Sequence, residues 1–297
     1  MEFTQSGHAA IRRVELPLPI APGSVNAHLV PVEGGWILVD CGMNAPAALA
    51  ALERAVPLDS IQQIVLTHVH PDHSGMSALL HDRTGAVVRM HQAEAAVLRS
   101  LRDPQGWLSR QSALLRSAGV PEALTARIHA SSLMMRRLFP ERRAGGYLRD
   151  GHEFETALGP MRVVETSGHS AGHLCFHLPE AKVLIAGDQL LEPNGPYLDF
   201  DADGDSFTGY LESLRRLSEL DVEWVLPAHG VPFRNLRERA SALRARALGE
   251  LDSIQRLRTA GRRSAHDIAA ARWNRPLNPF EHRCGVYDTL ACLRAIG

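Results

Sequence analysis

Apolar and polar residues follow a strand-like pattern in the first third of the chain, interrupted by one helical stretch. Short apolar runs bounded by proline and glycine predict strands at Ile11 to Pro19, Asn26 to Val32 and Gly35 to Gly42. The segment Asn44 to Val56 predicts a helix, with Asn44 as its N-cap. The run IQQIVLTH then predicts a strand that ends in a group of histidines.

Helical and strand-like patterns alternate again further along the chain. From about Gln92 to Arg149 the pattern predicts consecutive helices, which we call the insertion. Strand patterns resume at MRVVETSGH, HLCFHL, KVLIAGDQ and VEWVLPAHG, and the tail from Asn235 onward is helix-rich. We therefore predict a mixed α/β protein with a main domain over residues 1–234, an insertion at about 92–149, and a helical appendage over residues 235–297.

The insertion is too long for an ordinary connection, and segments of this length are usually functional. We expect a lid over a site, with a bundle that only adds core as the alternative. Its segment LMMRRLF includes Met134, Met135 and Phe139, which suit a pliable apolar substrate pocket. Plain core packing is the other interpretation of the same residues, and both stay open.

Composition narrows the class of partner. The net charge is -1 and the pI is about 7.0, which argues weakly against a nucleic-acid partner. Four scattered cysteines without a C-x-x-C pair do not suggest a disulfide framework. No signal-like or membrane-length apolar run is present. We expect a cytoplasmic protein with a small-molecule substrate and no membrane partner, and a homodimer is left open.

The stretch LTHVHPDHSG carries four metal-type donors in six positions, namely His68, His70, Asp72 and His73. Alternate residues of an extended segment point to the same side, so His68 and His70 can face one point. Pro71 turns the chain, and a helix can begin at the residues that follow. A lone histidine at a strand end is usually solvated, but this density of imidazole and carboxylate predicts a site for zinc, iron or manganese.

Three more donors follow apolar strands downstream. His169 stands in ETSGHSAGH, Asp188 in LIAGDQ and His229 in VLPAHG, each close to glycine or another small residue. Any one of them would be weak support for a metal site. Together with the first four donors they predict a site for two ions.

These motifs resemble those of a known family. THVHPDHSG resembles the H-x-H-x-D-H signature of the metallo-β-lactamase fold superfamily, and ETSGHSAGH, AGDQL and PAHG resemble its later ligand motifs, in the same order. The resemblance implies a four-layer αββα sandwich. ILVDCG is similar to the family strand ending in Asp-x-Gly, which implies that Asp40 orients ligands without binding metal.

Carried over to this chain, the resemblance implies a role for each donor. One ion would be held by His68, His70 and His169. A second would be held by Asp72, His73 and His229. Asp188 would bridge the two ions, with a water or hydroxide between them. We expect two divalent ions, zinc first, with iron and manganese as alternatives.

Such a site implies hydrolysis of an ester-like bond, with Asp72 as the proton shuttle. The family's antibiotic-hydrolysing members commonly carry a cysteine ligand, whereas this chain has Asp188 and an intact Asp72, so a true β-lactamase is not expected. The tail, through RTAGRRSAHDIAAARW, resembles the helical, partly winged-helix-like tail of a glyoxalase II-like or lactamase-beta-like branch that includes thioester hydrolases and an endoribonuclease.

We therefore expect a thioester substrate first and a lactone second. The alternative is a phosphodiesterase or endoribonuclease. A non-catalytic module that keeps the fold is a third possibility, against which the complete donor set argues. Tyr197, near the Asp188 strand, is a further candidate for the substrate pocket.

Overall fold

The computed structural model describes residues 2–3, 10–141, 144–192, 195–200, 205–273 and 275–296. Its first sheet contains, in spatial order, β1 (Glu2–Phe3), β2 (Ile11–Pro17), β3 (Ser24–Val32), β4 (Gly35–Val39), β5 (Ile61–Val65), β6 (Val87–His91) and β7 (Gly146–Leu148). Strands β1 to β4 pair antiparallel, and β4 to β7 pair parallel.

The second sheet is formed by β8 (Glu153–Phe154), β9 (Met161–Glu165), β10 (Leu174–Leu178), β11 (Val183–Gly187) and β12 (Trp224–Pro227). Its spatial order is β12-β11-β10-β9-β8, and only β11 and β12 pair parallel. Every residue of β10 and β11 is buried, because both faces of these strands are covered.

The helices of the described residues are α1 (Pro46–Ala55), α2 (Pro71–Ser74), α3 (Ser77–Thr84), α4 (Gln92–Ser100), α5 (Pro104–Ser117), α6 (Glu122–Arg136), α7 (Ser206–Ser218), α8 (Leu236–Thr259), α9 (Ala265–Arg272) and α10 (Pro279–Ala295), with a 3-10 turn at Leu58–Ser60. None of them is long and apolar enough to cross a membrane.

Three apolar clusters build four layers. Val39 and Val65 of the first sheet pack with Phe176 and Ile185 of the second, between the two sheets. A second cluster covers the outer face of the first sheet with α1, α3 and α4. A third covers the outer face of the second sheet with α7 and α8. The predicted αββα sandwich is confirmed, because each amphipathic helix buries its apolar face against a sheet.

The insertion and the tail share a fourth apolar cluster. Leu115 of α5 and Ile128 of α6 pack with Ala265 of α9 and Val286 of α10. We call α5, α6, α9 and α10 the helical body. Two segments that are far apart in the sequence therefore form one structural unit beside the sandwich.

Two sequence predictions need correction in detail. Ala45, and not Asn44, is the N-cap of α1, and no side chain caps this helix; Pro46 occupies its first turn. The insertion is not wholly helical, because its last residues form β7 and extend the first sheet. The tail is helical as predicted, and its described residues form no strand that could serve as the wing of a winged helix.

Candidate metal centre

The first four donors lie on one turn at the carboxyl end of β5. Residues 66–70 run on from the strand, and α2 begins at Pro71, as the sequence predicts. The Cys41 N–H donates to the His73 carbonyl at 2.7 Å, and Ser74 Oγ donates to the Val69 carbonyl at 2.8 Å. A Cβ on Gly75 would lie 2.7 Å from the Asn44 backbone nitrogen, so only glycine fits where the turn packs on this segment.

Three histidines converge on one point and form what we call the first donor group. His68 Nε2 lies 2.9 Å from His70 Nδ1, and His169 Nε2 lies 3.2 and 3.0 Å from these two atoms. Three nitrogens this close cannot all be satisfied by protons shared among themselves. An ion with bonds of about 2.0–2.1 Å to each of them would satisfy all three.

Asp72, His73 and His229 form the second donor group. Asp72 Oδ2 lies 3.6 Å from His73 Nε2 and 3.3 Å from His229 Nε2. His73 is fully buried, whereas the Asp72 side chain is 23% exposed and therefore accessible from the solvent side. This donor set combines imidazole with carboxylate, which suits zinc, iron or manganese.

Asp188 lies between the two groups. Its Oδ2 is 3.4 Å from His169 Nε2, and its Oδ1 is 3.4 Å from His73 Nε2 and 3.6 Å from His229 Nε2. Asp188 Oδ1 and His73 Nε2 are buried without a hydrogen-bond partner among the described residues. Buried polar atoms are normally paired, so these orphaned atoms fit a site whose missing partner is a cation.

Asp40 sets the tautomers of two donors. Its Oδ2 accepts from His73 Nδ1 at 2.8 Å and from Thr67 Oγ1 at 2.8 Å, and its Oδ1 accepts from the Thr67 N–H at 2.8 Å. Because Thr67 Oγ1 gives its proton to Asp40, it accepts from His68 Nδ1 at 3.0 Å. Both histidines therefore present Nε2 to the centre. Asp40 lies in none of the donor groups, in line with its expected supporting role.

Backbone carbonyls orient two other donors. His169 Nδ1 donates to the Tyr197 carbonyl at 2.8 Å, and His229 Nδ1 donates to the Ser24 carbonyl at 2.9 Å. In the neutral tautomer that each of these bonds favours, Nε2 carries no proton and faces the centre.

The two groups differ in their pKa values. Burial and the neighbouring histidines lower the pKa of His68 well below its usual value, and burial lowers the pKa of His70 to about 3. Burial acts against protonation of His73 as well, but Asp188, Asp72 and Asp40 outweigh it and raise the pKa of His73 well above 6.5. Burial opposes the charged form of Asp72, yet His73 and His229 lower its pKa to about 2.

Sequence reasoning missed two buried residues that hold the donors. The Asp188 N–H donates to His173 Nε2 at 3.2 Å, and His173 Nδ1 in turn bonds Thr166 Oγ1 at 2.8 Å. Gly187 has φ +51, and a Cβ there would lie 2.6 Å from His173 Nε2. The second missed residue is Glu94 on α4, which is 1% exposed. Only the second histidine of GHSAGH offered a signal in the sequence.

The predicted pocket residues lie in different surroundings. Tyr197 is 37% exposed, joins His169 through its carbonyl, and stacks its ring on Trp273 with centroids 6.1 Å apart. Met134 is 69% exposed, which excludes plain core packing for this side chain. Met135 is half-buried, and the half-buried Phe139 packs on the cluster outside the first sheet. Substrate contact by these three insertion residues stays a prediction.

Curated relatives match about half to three quarters of the chain. A probable metallo-hydrolase, YqjP, from Bacillus subtilis is 29% identical over 242 residues, which cover 75% of this chain and 72% of that protein. A hydroxyacylglutathione hydrolase from Rhizobium meliloti is 28% identical over 163 residues, covering 52% of this chain and 47% of that protein. Fungal lactamase-like proteins match over only about half of their own length.

Solved structures share more of the chain. The metallo-beta-lactamase family protein TTHA1429 from Thermus thermophilus is 29% identical with a TM-score of 0.84, covering 96% of this chain and 92% of that one. TTHA1623 in a di-iron-bound form is 26% identical with a TM-score of 0.52, covering 78% and 97%. The first likeness extends over nearly the whole chain, beyond the part that the curated relatives match.

A family model spans most of the sandwich and every donor. The model described as the metallo-beta-lactamase superfamily matches residues 20–229, a range that begins before Asp40 and ends at His229. The donor clusters also support binding of divalent metal ions. With the four-layer fold and the structural relatives, this match shows that the chain belongs to the metallo-beta-lactamase superfamily and is a metallo-hydrolase.

Proposed function

We propose that this protein is a dinuclear metal-dependent hydrolase of small ester-type substrates, with thioesters first and lactones second. One observation carries the proposal. Six donors form two groups of three, and each carboxylate oxygen of a seventh donor, Asp188, faces a different group. A single-ion site would not need a carboxylate between two complete three-residue groups.

The ions belong to the proposal in both number and identity. His68, His70 and His169 would hold one ion, and Asp72, His73 and His229 the other, with Asp188 common to both. Zinc is our first choice because it takes imidazole and carboxylate in four-coordinate sites. The di-iron-bound form of TTHA1623 supports iron as the alternative.

The chain's own residues supply positioning and proton transfer. Two divalent ions, when bound, make water a nucleophile at neutral pH and polarise the scissile carbonyl. Asp72 is the only one of the two carboxylates in the centre with substantial exposure, at 23% against 9% for Asp188. Its lowered pKa keeps it as a carboxylate at neutral pH, so it can accept a proton from the attacking water and pass it to the leaving group.

Thioesters rank first for two reasons. The name of the Rhizobium relative describes hydrolysis of an acylated glutathione, although that protein matches only half of this chain. The Tyr197 carbonyl accepts from His169 and the Tyr197 ring stacks on Trp273 of the helical tail, and we propose that this aromatic pair forms a wall of the substrate pocket. Such a wall suits an acyl group. We also propose a cytoplasmic location, with which the four unpaired cysteines of the described chain agree.

A substrate panel tests the proposal. Acyl-CoA thioesters, hydroxyacylglutathione, homoserine lactones, an aryl phosphodiester and short RNAs are incubated with zinc- and iron-loaded protein. We expect the highest kcat/KM for a thioester and a lower value for a lactone. His70→Ala should abolish every activity, whereas His152→Ala, which changes a histidine that contacts Phe154 away from the donors, should leave it unchanged.

The phosphodiesterase and endoribonuclease alternative is decided by the same panel. RNA or phosphodiester cleavage that exceeds thioester hydrolysis and disappears in Asp72→Ala would replace our assignment. Cleavage that persists in both Asp72→Ala and His70→Ala would come from a contaminant.

A further inference from the structure

Glu94 is a buried carboxylate that belongs to neither donor group. It lies in the first turn of α4 and is 1% exposed. Its Oε2 accepts from the Val69 N–H at 2.9 Å, and its Oε1 accepts from the Gly172 N–H at 2.8 Å. Both bonds are buried, so neither oxygen depends on solvent for its partner.

The two amides belong to the two segments that supply the first donor group. Val69 stands between His68 and His70, and Gly172 lies on the short loop that follows His169. His68 and His169 are 101 positions apart in the sequence, yet their Nε2 atoms lie 3.2 Å apart. Glu94 is thus a two-point link between the turn on the first sheet and the ligand loop on the second.

Charge gives the link a second consequence. The first donor group consists of three imidazoles, two of which have pKa values lowered by burial, and it contains no carboxylate. The second group contains Asp72 and has Asp40 behind His73. Glu94 is the buried acid joined to the first group: burial raises its pKa, while the N–H groups of Val69 and Gly172 act in the opposite direction and favour its carboxylate form.

We propose that Glu94 is a positioning residue that fixes the spacing of His68, His70 and His169 and thereby sets the affinity of this group for its ion. The inference rests on the proposed function for the presence of two ions. Glu94 touches neither substrate nor ion in this account and acts through Val69 and Gly172.

Two substitutions separate geometry from charge. Glu94→Gln keeps the length of the side chain but loses the charge and leaves one amide N–H facing an NH2 group. Glu94→Asp keeps the charge but is one methylene shorter, so it cannot reach both amides. Glu250→Gln is the matched control, because Glu250 is an acid of the tail that pairs with Arg272 at 3.1 Å, away from the donors.

The test is a titration of metal-free protein with Zn²⁺ against a chromophoric chelator. His70→Ala identifies the ion of the first group, and His229→Ala identifies the other. We expect Glu94→Gln to lower the affinity for the ion that His70→Ala removes by about 10- to 100-fold, the range seen for residues that support metal ligands. The affinity for the other ion should be nearly unchanged. Glu94→Asp should lower the affinity for the same ion by a smaller factor. Glu250→Gln should change the affinity for neither ion.

The proposal would be overturned if Glu94→Gln lowered the affinity for both ions equally, or for neither ion. A merely structural role would not distinguish the two groups. If Glu94→Gln does not fold, Glu94→Asp decides by the same criterion. If the wild type binds a single ion, the two-ion function fails on its own. Glu94 is then judged by whether that ion requires His70 and responds to Glu94→Gln, and an ion that requires only His229 rules the role out.

Discussion

The two donor groups face the same space with different electrostatics. The first consists of three histidines with no carboxylate of its own, and the second combines two histidines with Asp72. Asp40 supports the second group directly through His73, whereas it reaches the first only through Thr67 and His68. One centre therefore offers three imidazoles to one ion, and two imidazoles with a carboxylate to the other.

Asp188 lies between the two donor groups and is common to both. Each of its oxygens lies 3.4 Å from a histidine of a different group. Because the two donor groups differ in their ligands, we expect the binding of their ions to respond differently to acid and to the loss of a supporting carboxylate. Removal of Asp188 should affect the binding of both ions to a similar extent.

The largest expected effect is that of Asp188→Ala. Both ions lose a ligand, so we expect kcat/KM to fall by about a thousandfold or more and the metal content to fall with it. Stopped assays and elemental analysis of the purified variant measure both quantities. Asp221→Ala serves as the control, because Asp221 is an exposed carboxylate paired with Lys182. This variant should retain wild-type activity. Retention of a substantial fraction of activity by Asp188→Ala would move the chemistry elsewhere.

Asp40→Asn should weaken mainly the ion of the second group. The asparagine tolerates the positive φ of 56° at this position, but its NH2 group would face one of the donors, His73 Nδ1 or Thr67, that the two carboxylate oxygens accept from. We expect a loss of affinity of about 10- to 100-fold for the ion that His229→Ala removes, and a smaller loss for the other. The same zinc titration measures it. Equal losses of affinity for both ions would show that the two donor groups do not act separately.

Proton release should differ between the two ions. The raised pKa of His73 means that this ring is protonated at neutral pH in the metal-free protein, so its ion must displace a proton, whereas His68 and His70 are already neutral. Because the pKa of His229 is raised as well, calorimetry in two buffers of different ionisation enthalpy should detect more protons released by the second-group ion than by the first. Identical release for both ions would contradict the pKa contrast.

The sign for stability follows from the same pKa. A histidine with a raised pKa stabilises the folded metal-free protein at pH values below about 6.5, where the unfolded chain is protonated too, and this stabilisation is lost as the pH rises through the folded-state pKa. His73→Gln should reduce that pH dependence in denaturant titrations of metal-free protein, and the raised pKa of His229 should maintain the remainder.

The smallest effect is expected on the helical body. Met134→Ser should change the free energy of unfolding by less than about 0.5 kcal/mol, because the side chain is 69% exposed. If the insertion is a lid, Met134→Ser should raise the KM for a long acyl thioester by about fourfold. This factor corresponds to the free energy of burying roughly one methylene. Ile128→Ala, in the shared apolar cluster, should instead cost about 2–5 kcal/mol of stability with little change in KM. An unchanged KM in Met134→Ser would remove this residue from the pocket.

Local chemistry explains how much of this molecule could be predicted. Donors that follow apolar strands are visible in sequence, which is why LTHVHPDHSG and Asp188 could be identified. The fold class followed from the same strands and from the family resemblance that the motifs carry. The N-cap at Asn44 was wrong because α1 begins at Pro46 after Ala45, without any side-chain cap.

Long-range packing explains what could not be predicted. Glu94 looks like an ordinary first-turn acid of an amphipathic helix, and only the packing of the two sheets brings Val69 and Gly172 to its oxygens. The association of the insertion with the tail depends on Ile128 meeting Val286, two apolar residues whose pattern is typical of any helix. Sequence periodicity specifies that a helix face is buried but not which element covers it.

Anomalous diffraction from crystals of zinc-loaded protein tests the central claim most directly. We expect two peaks about 3.5–4 Å apart, one bonded to His68, His70 and His169 and the other to Asp72, His73 and His229, with Asp188 between them. A single peak at full zinc loading, or a second peak bonded to other residues, would contradict it.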